Sequence, residues 1–155
     1  MSNKEPINII SINKKASFQY FLLEKFEAGI QLLGSEVKSI REGNVNIKEA
    51  YVRFIGSELY VIGMYIGEYS KSSYSSHIPE SDRKLLLNKK ELIKLKVMVS
   101  EKGNTLIPTS IYFKNGIVKL SFAVAKGKKN WDKRKDKINR DINRQIDRKM
   151  KELNK

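Results

Sequence analysis

Eleven residues near the end of the chain, GKKNWDKRKDK at 127–137, hold six basic side chains and the only tryptophan, Trp131. Lysine and arginine offer charges to phosphates, and an aromatic face stacks on an unpaired base for roughly 1–3 kcal/mol. That combination suits folded RNA with open loops better than duplex DNA, whose stacked bases offer no free face. Trp131 has a second reading, as a core residue at the edge of the body. Groups for covalent or metal chemistry are scarce. There is no cysteine and one histidine, His77, so neither a zinc ligand set nor a thiol nucleophile can be assembled. His77, in SKSSYSSHIPE, reads as a polar loop residue. AVAKGKKN lacks the glycine spacing and the Ser/Thr of a P-loop. Glu27 and Glu36 stand beside small and basic residues and read as ordinary surface ion pairs. The residues argue for binding rather than catalysis, with no cofactor and no metal.

The charge balance agrees. The 155 residues include 31 Lys/Arg and 17 Asp/Glu, a net charge of +14. A surplus of that size attracts polyanions. Residues 126–155 hold thirteen of the basic and five of the acidic side chains, so the last fifth of the chain carries more than half the surplus. This divides the sequence into a flexible N-terminus at 1–12, a body at 13–125 and a basic tail at 126–155. No stretch approaches the roughly 18 apolar residues of a membrane span, and the N-terminus lacks the pattern of a signal peptide. A cytoplasmic protein is expected.

The elements that must position these groups are mostly short strands. Phe18–Leu33 is one β-rich run, with Ala28-Gly29 as a bend or bulge. Ala50–Ile66 reads as two strands about Gly56-Ser57. Ile107–Phe113 and Ile117–Val124 flank Asn115-Gly116, a strong signal for a two-residue hairpin. Val118, Leu120, Phe122 and Val124 alternate with Lys119, Ser121 and Ala123, which gives one buried and one outward face. Helices are expected over Ser35–Glu42, stopped by Gly43-Asn44, and from Asn88, whose spacing to Glu91 suits a cap. Leu92, Leu95 and Val99 form its inner face. A mainly β fold follows: a small OB-like antiparallel barrel of five or six strands with about three flanking helices, an open α+β sheet being the alternative.

The tail reads as a two-faced helix over Lys133–Leu153, with Trp131 before it. At ~100° per residue, Ile138, Ile142, Ile146, Met150 and Leu153 share one face. Lys137, Arg140, Arg144, Arg148 and Lys151 share the opposite one. Such a helix is marginal alone, so it is expected to be disordered when free and to order against a partner. Packing of the stripe on the body, pairing of two chains and a membrane surface remain the other uses of this pattern.

Seven stretches in one order resemble the small protein B (SmpB) family of bacterial RNA-binding proteins. They are Asn13-Lys14-Lys15-Ala16, Phe26–Ile30 (FEAGI), Gly34–Arg41 (GSEVKSIR), Tyr51-Val52, Arg83–Leu87 (RKLLL), Tyr112–Gly116 (YFKNG), and Ala125–Lys129 (AKGKK) followed by Asp132-Lys133-Arg134. The resemblance implies a non-enzymatic adaptor of trans-translation, built on an OB-like barrel and acting as a monomer. Its body would bind the elbow of the tRNA-like domain of transfer-messenger RNA. Its tail would become helical in the vacant mRNA channel of a stalled ribosome, against ribosomal RNA at the decoding centre. Elongation factor Tu would be met only through the charged RNA. By matching motif, Asn13, Lys14, Glu27, Gly29, Lys38 and Arg41 would lie at the elbow, with Leu86 supporting that surface. Lys119, Lys126, Lys128 and Lys129 would meet phosphates. Trp131, Asp132, Lys133 and Arg134, followed by Arg140, Arg144 and Arg148, would serve the ribosome. Trp131 stands where a Tyr or His is common, and Asp82 where a Thr is common. The competing class is a general structured-RNA-binding or ribosome-assembly protein.

Overall fold

The structure, a computed structural model, describes residues 6–69 and 77–154. In chain order it forms β1 (Ile7–Ile12), α1 (Ala16–Gln19), β2 (Tyr20–Ile30), α2 (Gly34–Arg41), β3 (Val45–Asn46), β4 (Tyr51–Ile55) and β5 (Glu58–Ile62). Then follow β6 (Tyr65–Ile66), β7 (Arg83–Leu86), α3 (Lys89–Ser100), β8 (Asn104–Lys114), β9 (Ile117–Gly127) and α4 (Asn130–Leu153). Most of the serine-rich loop before His77 lies outside the described residues.

The β8–β9 hairpin is the frame. Lys114 faces Ile117 across a two-residue turn, with Asn115 at φ 51° and Gly116 at φ 74°. Both central residues therefore have the positive φ that a type I′ turn requires. The turn sets a register that keeps Val118, Leu120, Phe122 and Val124 buried, as the alternation predicts. The expected outward face is only half open: Ala123 and Ala125 are buried too. Ala16 and Ile107 cover Ala125, with Tyr20 and Leu22 packed beside them.

Strands β8, β4, β5, β7, β2 and β9 pair in sequence, and β9 returns to β8. This antiparallel ring is the barrel expected from the sequence. Its core includes Phe122, Leu59, Val61, Leu85, Leu106 and Ile111, with Leu95 of α3 fully buried against it. Asn88 caps α3 by accepting the Glu91 N–H at 2.9 Å. Gly43 ends α2 at φ 81°; its N–H reaches the Ile40 carbonyl, and the Asn44 N–H reaches that of Ser39. That is the Schellman arrangement, in which a left-handed glycine satisfies the last carbonyls.

Three expectations change. Residues 7–12 are not a flexible arm, because β1 pairs antiparallel with β8. The bulge in β2 lies between Leu22 and Glu24, not at Ala28-Gly29; Gly29 pairs with Lys119 on one side and Leu86 on the other. Lys126 and Gly127 belong to β9, so the barrel continues past residue 125.

The ring closes through narrow seams. Strand β7 has two residue pairs with each neighbour, and β4 meets β8 at one pair, Val52 with Leu106. A buried ion pair reinforces β7. Arg83 Nε donates to Glu36 Oε2, and both side chains are almost fully enclosed. The two terminal nitrogens donate to the carbonyls of Met64, Ser81, Ile78 and Pro79. Glu36 Oε1 accepts the Leu33 N–H at 2.9 Å and so caps α2. The surface reading of Glu36 is thus corrected, and His77 is also interior: Nε2 meets the Ile66 carbonyl and Nδ1 the Ser35 hydroxyl, each at 2.9 Å.

Removing one partner of such a pair leaves a buried charge uncompensated. Arg83→Met is expected to cost about 3–5 kcal/mol in denaturant unfolding, and Glu36→Gln/Arg83→Met less than the sum of the single changes. An Arg83→Met protein as stable as wild type would refute the clamp.

Candidate nucleic-acid interface

Strand register places the sequence-predicted residues. On β9, Lys119 stands between Gly29 of β2 and Tyr112 of β8, and Ser121 between Glu27 and Ser110. A period of two puts Glu27, Lys119 and Tyr112 together on the outer face of the barrel. Tyr112 donates its hydroxyl proton to Glu27 Oε2, and Lys114 Nζ lies 3.3 Å from Oε1. The Tyr112 bond holds the Glu27 carboxyl below its ordinary range, helped by Lys114 and Lys119 and opposed by partial burial. Burial, and donation to Glu27, push the Tyr112 phenol well above its ordinary value. Glu27 is therefore an oriented carboxylate, not an idle surface ion pair. Tyr112 and Lys114, which hold Glu27, were missed in the sequence, although the hairpin register already set Tyr112 opposite Lys119.

Glu27, Gly29, Leu86 and Lys119 line one open groove of about 850 Å³, whose far wall is α3. The structure thus gathers four of the expected RNA residues. The Arg41 guanidinium sits 5.6 Å from the ring of Phe113, which follows Tyr112 on β8 and packs in the core. Lys38 lies over Tyr69 at 5.4 Å. Both cations are exposed and held by aromatic faces. Asn13 does not join them as a free contact. It is buried, its Nδ2 donates to the Pro108 carbonyl at 3.1 Å, and its backbone N–H donates to that of Thr109. It fastens the chain beyond β1 to the middle of β8 and leaves Lys14, the next residue, exposed.

The remaining cations gather at the other end of β9. Lys126 and Lys129 are exposed. Lys128 is not: it pairs with Asp136, donates to the Ser17 carbonyl at 3.0 Å and lies over the Phe21 ring at 5.0 Å. Arg140 lies over Phe18 at 4.9 Å. These two cations hold the root of α4 against the body. Asp132 caps that helix by accepting the Lys129 N–H at 3.3 Å, while Lys133 and Arg134 continue its first turn.

Trp131 is part of α4, not a residue before it. At ~100° per residue it falls about 20° from Ile138 and heads the apolar stripe. The stripe does not pack on the body. Trp131, Ile138, Ile142, Ile146 and Met150 are all about half exposed or more, because α4 docks through the side that carries Asp136 and Arg140. Arg144 and Arg148 lie exposed beyond the docked segment. Among the described residues, no group of three or more His, Cys, Asp or Glu could hold a metal ion. No helix there is long and apolar enough to cross a membrane.

Glu27 gives the site a pH signature. A carboxyl with a lowered folded pKa adds stability above its unfolded value, about 4.5, and loses it as pH falls through the folded value. Tyr112→Phe is expected to raise the Glu27 midpoint toward 4.5, followed by NMR titration of the carboxyl carbon. A midpoint unmoved by that change would contradict the assigned cause.

With this geometry in place, comparison with known proteins gives one answer. Residues 10–152 match the family model described as SmpB protein. An SsrA-binding protein of Koribacter versatilis is 54% identical over 124 residues, 80% of this chain and 71% of that protein. That of Caldanaerobacter subterraneus is 48% identical over 149 residues, 96% and 94% of the two chains. That of Clostridium botulinum strain Hall is 45% identical over 152 residues, 98% and 97%. A chain of the solved structure "tmRNA-SmpB: a journey to the center of the bacterial ribosome" is 45% identical, with a TM-score of 0.65 over 77% of this chain and 85% of that one. Fold and sequence agree over most of the length: the chain belongs to the SmpB family.

Proposed function

We infer that this protein is the RNA-binding adaptor of trans-translation. It binds the tRNA-like domain of transfer-messenger RNA and brings it to the empty A site of a stalled ribosome. The observation that carries this reading is the division of labour along β9. Lys119 sits at the groove and Lys126 at the root of the tail, seven residues or about 23 Å apart on one strand. The groove end combines an oriented carboxylate, an exposed leucine and lysines, which suits a shaped RNA surface. The other end carries an exposed two-faced helix whose cations suit a ribosomal RNA channel.

The body, now residues 7–127, recognises the RNA elbow through Glu27, Gly29, Leu86 and Lys119, with Arg41, Lys38 and Lys14 on its margins. The tail serves the decoding centre through Trp131, Lys133, Arg134, Arg144 and Arg148. It leaves the body and enters the vacant channel as the helix that α4 already forms, which releases Lys128 and Arg140 for phosphates. The protein acts as a cytoplasmic monomer with no chemistry of its own. Elongation factor Tu is engaged through the RNA.

Binding of the full chain to the tRNA-like domain and to an ordinary tRNA, at two salt concentrations, tests the reading. Preference for the tRNA-like domain is expected, and it should survive removal of residues 130–155. Binding that vanishes with the tail and shows no preference would instead mark a general polycation. Glu27→Lys should weaken elbow binding by about one to two orders of magnitude, within the roughly 1.5–3 kcal/mol of a hydrogen bond to a charged group, and leave ribosome binding by the tail intact. Replacing Asp132, Lys133 and Arg134 by alanine should spare RNA binding and abolish tagging of stalled chains in a translation assay. Persistent tagging would remove those three residues from the mechanism.

A further inference from the structure

The contacts at the root of the tail leave one lysine fully used. An ammonium group has three N–H bonds and accepts none. Lys128 gives one to Asp136 and one to the Ser17 carbonyl at 3.0 Å, and the Phe21 ring covers the group at 5.0 Å. With the side chain 9% exposed, a phosphate reaches this charge only by replacing one of those partners. The neighbouring cations differ. Lys126 and Lys129 are exposed and make no ion pair among the described residues. Strand register sets Lys126 opposite Phe21, the ring beneath Lys128, so a free cation and a committed one share one surface.

The same contacts decide where α4 lies. Asp136 and Arg140 stand four residues apart, on one side of the helix. Asp136 meets Lys128, and the Arg140 guanidinium lies 4.9 Å from the Phe18 ring of α1. The backbone beneath is fixed separately: the Lys128 N–H donates to the Gln19 carbonyl, at the end of α1, at 2.9 Å. α4 starts two residues later, at Asn130. The helix thus begins just beyond an anchored point and is kept against the body by side chains alone.

We propose that Asp136 and Phe18 are positioning residues of a phosphate-released latch: an RNA phosphate at Lys126 draws Lys128 away from Asp136, so that docking of α4 and RNA contact at the tail root exclude one another. The inference rests on the adaptor reading and deepens it, by naming what parks the tail until RNA is bound. A phosphate oxygen accepts the same charge-assisted hydrogen bond as the carboxylate it replaces. The Asp136 carboxylate repels that phosphate, so the two cannot share Lys128. Each clasp is modest by itself, which lets one competing anion change the balance. By linkage, the factor by which RNA favours undocking equals the factor by which docking weakens RNA binding.

The chain has no cysteine, so Glu80→Cys and Lys149→Cys, at exposed positions, can carry a pair of spin labels on the full-length protein. Pulsed electron paramagnetic resonance then gives the distance between them, free and with the tRNA-like domain of transfer-messenger RNA, with thermal melting beside it. One narrow distance is expected in the free protein and a broad, shifted distribution in the complex. Asp136→Asn and Phe18→Leu should each lower the docked-to-undocked ratio about two- to fivefold without RNA, the order of one clasp lost. Each should tighten RNA binding by the same factor, Asp136→Asn being compared with Asp147→Asn, an equal change of charge beyond the docked segment. If the distances stay the same with RNA bound, or Asp136→Asn binds no more tightly than Asp147→Asn, the latch is overturned. Preference for the tRNA-like domain over an ordinary tRNA tests the adaptor reading separately: without it that reading falls, while undocking by either RNA upholds the latch. Should Phe18→Leu lower the melting temperature, Asp136→Asn, at a partly exposed helix position, carries the test.

Discussion

Arg83 spends all five of its N–H groups inside the protein, one on Glu36 and four on backbone carbonyls. Much of the architecture depends on that single guanidinium. It sits at the start of β7, a strand of the ring held by only two residue pairs on each side. It gathers the segment before β7 and the end of the β5–β6 connection. Through Glu36 it also fixes the start of α2, the helix that presents Lys38 and Arg41. Three backbone regions that form no extended ladder with one another meet at one side chain. Planar geometry and a permanent charge make arginine suited to this task where lysine is not.

The clamp has a functional address. Leu86 lies three residues beyond Arg83 on the same short strand, and Gly29 pairs with Leu86. One wall of the groove is thus held by the interior of the protein. The other wall, α3, is anchored by its buried Leu95 and begins at a capping asparagine, Asn88. Glu27, between them, is aimed by Tyr112 and Lys114. A recognition surface assembled from strands and a capped helix loses little conformational entropy on binding. The tail is built on the opposite principle. Its root is held by one ion pair, one lysine–carbonyl hydrogen bond and two cation–ring contacts, and its apolar stripe has no cover.

Much of this was legible in the residues. Asn115-Gly116 announced the hairpin and its register, Asn88 announced the start of α3, and the alternation along β9 announced the inner face. What escaped has physical reasons. Glu36 and Arg83 are 47 residues apart, and nothing local distinguishes a carboxylate that caps a helix and meets an interior arginine from one at the surface. β1 was missed because INIISI mixes apolar and polar residues on a chain end, and its partner β8 lies about a hundred residues on. Asn13 carries a family motif, yet its role is inward, holding the barrel beneath an exposed Lys14. Trp131 was placed before the tail helix although Asp132, three residues after Lys129, is a local sign of an earlier start. Position in a motif says that a residue matters; burial and hydrogen bonds say whether it touches the ligand or holds what does.

The bulges of the barrel fall in β1, β2 and β8, and none falls in β9, whose residues are matched consecutively against both neighbours. β9 therefore works as a caliper. It sets one fixed gap between the groove and the point from which the tail departs. A caliper transmits position without moving parts, so whatever seats in the groove also decides where the tail begins. Such a gauge has a discrete scale. Lengthening the paired stretch by two residues would open the jaws by about 7 Å and keep every side chain on its own face, whereas lengthening it by one would turn the far jaw inside out.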